Sequence, residues 1–146
     1  MSLPQNQSVF VNINASATAG TSVASTGDKA VWAPPVPVNI VRWGFIIAGT
    51  ALPVDQGVLA LDKQPTAGSA SGRVDAYGGT ITVAAVTALG TVCYNEPTEV
   101  LPVMPGEAVV FEVTDAWSAG VVTFFVEYRP LPFIDADLSH VQAFTA

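Results

Sequence analysis

Residues 104–130 read MPGEAVVFEVTDAWSAGVVTFFVEYRP, and this stretch decides the fold. Pro105-Gly106 is turn chemistry, because Pro fixes φ and Gly accepts a positive φ. Two alternating runs follow. Val109, Phe111 and Val113 fall on one face, with Glu112 and Thr114 on the other. Val122, Phe124, Val126 and Tyr128 share a face, opposite Thr123, Glu127 and Arg129. A period of two with one apolar side is a half-buried strand. Between the runs lies a small-residue connector, DAWSAG, that carries Trp117.

Working outward, the strongest internal strand is 38–47, VNIVRWGFII. Alternation puts Val41, Trp43, Phe45 and Ile47 on one face and Val38, Ile40 and Ile46 on the other. Both faces are largely apolar, so the strand is expected to be central and covered on both sides. Pro34, Pro35 and Pro37 force an extended approach to it. Further strands are expected at 8–18, 58–62, 73–77, 80–86, 91–94 and 99–103, with Gly78-Gly79 as a hairpin turn. Residues 19–29 and 64–72 are rich in small residues and read as loops, the first with the option of a weak edge strand.

Many short strands with Gly and Pro turns, and no long helical period, give an all-β chain: an antiparallel β-sandwich, best fitted by an eight-stranded jelly roll. An immunoglobulin-like sandwich competes, but its Cys-Trp-Cys spacing is absent. The expected organisation is an N-terminal arm over 1–7, the sandwich over 8–130 and a C-terminal tail over 131–146.

The 146 residues are half apolar and only 12% charged. Mean hydropathy is +0.46. Ordinary domains carry about 25% charged residues. An apolar excess of this kind is usually hidden in subunit contacts, so an oligomer or a part of a larger assembly is expected. The longest apolar stretch, 43–54, is interrupted by Gly44, Gly49, Thr50 and Pro53 and is short of a membrane span. The start of the chain, MSLPQNQS, lacks the basic and apolar regions of a secretory signal, so synthesis in a cytoplasm is expected. The sequons at Asn6 and Asn14 carry little meaning without such a signal. The formal charge is −7, and the five basic residues are scattered, which argues against nucleic-acid binding.

Candidate chemistry is sparse. His140 is the sole histidine and stands in the tail without partner ligands. Asp135 and Asp137, with Asp115 or Glu127, fall short of a calcium loop. Cys93, the only cysteine, reads as a buried structural residue. Glu107 with Glu112, or Glu96 with Glu99, would be the glycosidase pairs, but nothing supplies the opposed geometry such chemistry needs. No catalytic residue, metal ligand or cofactor is assigned, and the chain is read as not an enzyme. Of the three tryptophans, Trp43 alternates with core residues and reads as packed. Trp32, beside the proline cluster, and Trp117, in the connector, read as exposed. They suit a subunit contact or, alternatively, the sugar platform of a carbohydrate-binding module.

Residues 99–133 resemble the small β-sandwich structural proteins of tailed bacteriophages, among them head-decoration or cement proteins. The resemblance is carried by Met104-Pro105-Gly106-Glu107, the alternating AVVFEVTDA, the connector 117–120 and the closing FVEYRP. It implies a virion protein, on the outer capsid surface, that bridges subunits of the major capsid protein, often as a homotrimer. Many weak symmetric contacts then add through multivalency. Terminal segments are the natural arms. Leu131, Phe133, Ile134 and Phe144 at one end, and residues 1–8 at the other, are the expected anchors alongside Trp32 and Trp117.

Overall fold

The computed structural model describes residues 8–13, 20–53, 56–83 and 88–131. Within them the chain forms ten strands and no helix. They are β1 (Val9–Ile13), β2 (Thr21–Ser22), β3 (Gly27–Trp32), β4 (Val38–Thr50), β5 (Gly57–Gln64), β6 (Thr80–Val83), β7 (Val92–Asn95), β8 (Pro102–Val103), β9 (Ala108–Asp115) and β10 (Val121–Pro130).

Two antiparallel sheets pack face to face. One is six-stranded, with path β1-β10-β4-β7 and the two-residue strands β2 and β8 extending its edges on β10 and β4. The other runs β3-β9-β5-β6. The pairing is nested: β1 with β10, β3 with β9, β4 with β7 and β8, and β5 with β6. A long hairpin folded at β5–β6 and rolled over itself pairs its strands in this order. The two-residue strands aside, eight strands in two sheets with this nesting make a jelly roll.

The pattern in 104–130 becomes β9 and β10, each central in its own sheet. Val109, Phe111 and Val113 from β9 meet Val122, Phe124 and Val126 from β10 in the core. Phe111 stacks on Phe124 at 4.8 Å between ring centroids, and Trp43 meets Phe111 edge-on at 6.1 Å. Leu59 and Leu61 from β5 and Phe45 and Ile47 from β4 complete the centre.

Strict alternation fails in β4. Glu127 pairs with Arg42, but Tyr128 pairs with Ile40, so Val41 is an extra residue in a β-bulge. The bulge resets the phase. Val38 and Ile40 therefore join Trp43, Phe45 and Ile47 in the core, and Val41 does not. The strand is central as expected, but its outer side is only partly covered: Val41, Arg42 and Ile46 are half-buried.

The expected strand over 73–77 is also corrected. Apart from an isolated bridge between Val74 and Lys63, these residues form turns. Ala76 sits at φ +51°, in the left-handed region, and its N–H donates to Asp62 Oδ1 at 2.8 Å. Residues 65–79 are thus a long connection between β5 and β6, and the Gly78-Gly79 pair closes it rather than turning a tight hairpin. The strand expected over 8–18 is described only as Val9–Ile13, and 80–86 only as Thr80–Val83.

Candidate functional site

The two outer faces of the sandwich differ in chemistry. On the four-stranded sheet, β5 turns Asp62 and Gln64 outward, yet both are buried. The 65–79 connection lies over them, held by Arg73. Its guanidinium grips Asp28 of β3 bidentately, at 2.8 and 2.7 Å, and donates to Gln64 Oε1 at 2.6 Å. Paired, charge-assisted bonds of this kind fix a planar group firmly. The Arg73 guanidinium holds the Asp28 carboxyl below the usual carboxylate range.

Between this connection and the sheet a group of acids meets, Asp75 from the connection and Asp62 and Glu112 from the strands. An oxygen from each of Asp62, Asp75 and Glu112 lies within 4.8 Å of the others. Asp62 is fully buried, Glu112 half-buried and Asp75 exposed. With Glu112 ionised, Asp62 Oδ2 has no hydrogen-bond partner. A protonated Glu112 supplies one. That hydrogen bond to Asp62, with burial and the nearby negative charge, pushes the Glu112 carboxyl from 4.5 up to about 7.

The sign of the resulting pH dependence follows from the direction of the shift. Below pH 4.5 both folded and unfolded Glu112 hold the proton; between 4.5 and about 7 only the folded chain does. Stability from this group is therefore full in acid and lost as pH rises towards 7. Asp28 and Glu127, both depressed, act in the opposite sense and lose stability as pH falls below the carboxylate range. In a chelator-containing buffer, Glu112→Gln is expected to flatten the decline in urea midpoint between pH 5 and pH 8. An unchanged slope in the variant would contradict the assignment.

The outer face of the six-stranded sheet carries an apolar patch beside a charged pair. Register places Asn12, Phe125, Gly44 and Tyr94 in one row across β1, β10, β4 and β7. Thr123, Ile46 and Val92 form the adjacent row. Phe10 stacks on Phe125 at 4.8 Å, and Phe125 is fully buried. Phe10, Val92 and Tyr94 themselves remain 47%, 45% and 50% exposed. Arg42 lies over the Tyr94 ring at 5.2 Å and also pairs with Glu127 at 2.7 Å. Ser8 donates to the other Glu127 oxygen, which ties the start of β1 to β10.

No family model, curated protein or solved structure matches the chain. The site residues must therefore be weighed on geometry. Trp117 corrects the expectation of an exposed platform. It is buried, meets Phe45 edge-on at 6.0 Å and donates its Nε1–H to the Val83 carbonyl at 3.3 Å. The connector folds its one large ring inward, against Phe45 and onto Gly57. Trp32 is half-buried and leans on Tyr128 at 5.2 Å, closing a corner between the sheets. Leu131 is half-buried, and its N–H donates to Pro37 O at 2.9 Å, prolonging the β4–β10 edge. Phe133, Ile134 and Phe144, and with them Asp135, Asp137 and His140, lie outside the described residues.

The carboxylates weighed as glycosidase pairs, and set aside on sequence, stand in other company. Glu107 accepts from the Met104 N–H and meets Lys63 at 3.3 Å, while Glu112 has Asp62 and Asp75 as neighbours. Glu96 and Glu99 are exposed. Cys93 is half-buried on the core side of β7, and burial pushes its thiol up, away from the thiolate a nucleophile needs. Neither the acid cluster nor the outer apolar rows are apparent in sequence. Asp62, Asp75 and Glu112 meet through the β5–β9 pairing and a turn whose alternation imitates a strand.

Proposed function

We propose that this protein is a non-enzymatic structural component that works by association: copies meet through the outer face of the six-stranded sheet, and the resulting homo-oligomer binds a larger shell. On the resemblance of 99–133, that oligomer is a trimer, the shell is a phage head and the partner is its major capsid protein. The role is decoration, bridging capsid subunits on the outer surface of the virion.

The observation that carries this reading is the patch of half-exposed Phe10, Val92 and Tyr94, drawn from adjacent rows of one sheet face with Ile46 beside them. Among the described residues nothing covers it, whereas on the opposite sheet the 65–79 connection lies over Asp62 and Gln64 and leaves Val31 exposed. A closed oligomer removes such a patch from water, and aromatic residues are the favoured anchors of such contacts. The low charge of the chain points the same way. The carbohydrate-binding alternative is weakened, because Trp117 is inside the sandwich.

Placing charge on the patch tests the reading. The double variant Val92→Glu, Tyr94→Glu is expected to weaken self-association on the order of 100-fold or more. Both side chains are half exposed, so the β-sheet circular dichroism should be retained. Association unchanged in a folded double variant would remove this face as the contact.

A further inference from the structure

The acid group at the 65–79 connection holds more carboxylates than the neighbouring cations balance. Three carboxylates (Asp28, Asp62 and Glu112) act on one guanidinium, and a fourth, Asp75, joins Asp62 and Glu112. Arg73 spends its fork on Asp28 and Gln64 and comes no nearer to Asp62 Oδ2 than 3.7 Å. Lys63, the next cation along β5, points to the core side, where it meets Glu107 and lies over the Tyr77 ring. Asp62, Asp75 and Glu112 are therefore left to one another.

Asp62 is the decisive member. It has no exposed surface, one oxygen is fixed by the Ala76 N–H, and the other, Oδ2, is buried without a hydrogen-bond partner. A buried, unpaired carboxylate is costly unless it is protonated, paired or bound to a metal. The spacing suits the last of these. Oxygens on opposite sides of one Ca²⁺ stand about 5 Å apart, twice the usual ligand distance, and the three acids fall within that span. Carboxylates are the hard ligands Ca²⁺ selects, and the exposed side at Asp75 leaves room for water to complete its shell.

We infer that Asp62, Asp75 and Glu112 form a Ca²⁺ site. The ion joins β5 and β9 to the turn at Asp75, and so pins the 65–79 connection onto the sheet.

The test uses the full chain, stripped with chelator and titrated with CaCl₂ by calorimetry and thermal unfolding. Saturable binding of one ion per chain is expected. At a Ca²⁺ concentration about a hundred times Kd, the unfolding midpoint should rise by roughly 5–10 °C. Asp75→Asn, at an exposed turn position, and Glu112→Gln should each weaken binding about tenfold or more. Asp115→Asn, at an exposed position of β9 outside the cluster, should bind as the parent does. The inference is overturned by the absence of saturable binding at millimolar Ca²⁺, by a midpoint shift that NaCl reproduces at equal ionic strength, or by unchanged binding in both cluster variants.

Discussion

Replacing Trp43 by alanine is expected to destabilise the fold by about 3–5 kcal/mol, the range for truncating a buried large aromatic. Trp43 is fully buried at the centre of β4, edge-on to Phe111, and its Nε1–H donates to the Gly78 carbonyl at 2.7 Å. The side chain thus serves both as core volume and as the tie that anchors the end of the 65–79 connection. Trp43→Phe separates the two roles. It keeps much of the ring but leaves the Gly78 carbonyl without this donor, a loss of about 1–3 kcal/mol. Urea unfolding of both variants measures the difference. A Trp43→Ala chain within 1 kcal/mol of the parent, a threshold set well below the expected range, would contradict this packing.

The second large effect is expected at Gly57. A Cβ there would lie 2.1–2.5 Å from three ring atoms of Trp117, so the glycine is the floor on which that indole rests. Gly57→Val should cost about 3 kcal/mol or more, because neither β5 nor a fully buried indole can yield easily. The cost should not add in the double variant. With Trp117→Ala the added valine enters the space the indole leaves, and the double variant should be more stable than the sum of the two single losses predicts, by on the order of 1 kcal/mol or more. Strict additivity would mean that the two residues do not touch.

Much of the fold is legible in the sequence because its central strands obey the period-two rule closely. β9 and β10 can be read residue by residue from 104–130, and the core positions Val109, Phe111, Val113, Val122, Phe124 and Val126 follow from alternation alone. β4 is legible as central, but its phase is not. The bulge at Val41 is a one-residue event with no compositional marker, and it moves Val38 and Ile40 from one face to the other. Residues 73–77 mislead for a related reason. RVDAY alternates like a strand, but the buried Asp62 carboxylate captures the Ala76 N–H and stabilises a turn instead. Trp117 reads as exposed because a connector rich in Ser, Ala and Gly suggests a surface loop; its burial depends on the sheet end it plugs.

The sites were less legible than the fold. Asp62 sits in a run, LALDKQ, that gives no sign that the aspartate will be sealed from water. Only the pairing of Asp62 with Val110 and Ala60 with Glu112 sets the acids side by side. The apolar outer rows are hidden for the opposite reason. Phe10, Ile46, Val92, Tyr94 and Phe125 come from four strands, and each alone is an unremarkable apolar residue. Their significance appears only when the register brings them together on one outer face, which no other described residue covers.

The apolar patch on the six-stranded sheet is proposed to join copies of the chain, and the absolute mass of the intact protein in solution decides whether copies join. Light scattering on a sizing column should give three times the 15.1 kDa chain mass, independent of concentration across the micromolar range. A mass of one chain throughout that range would contradict the account.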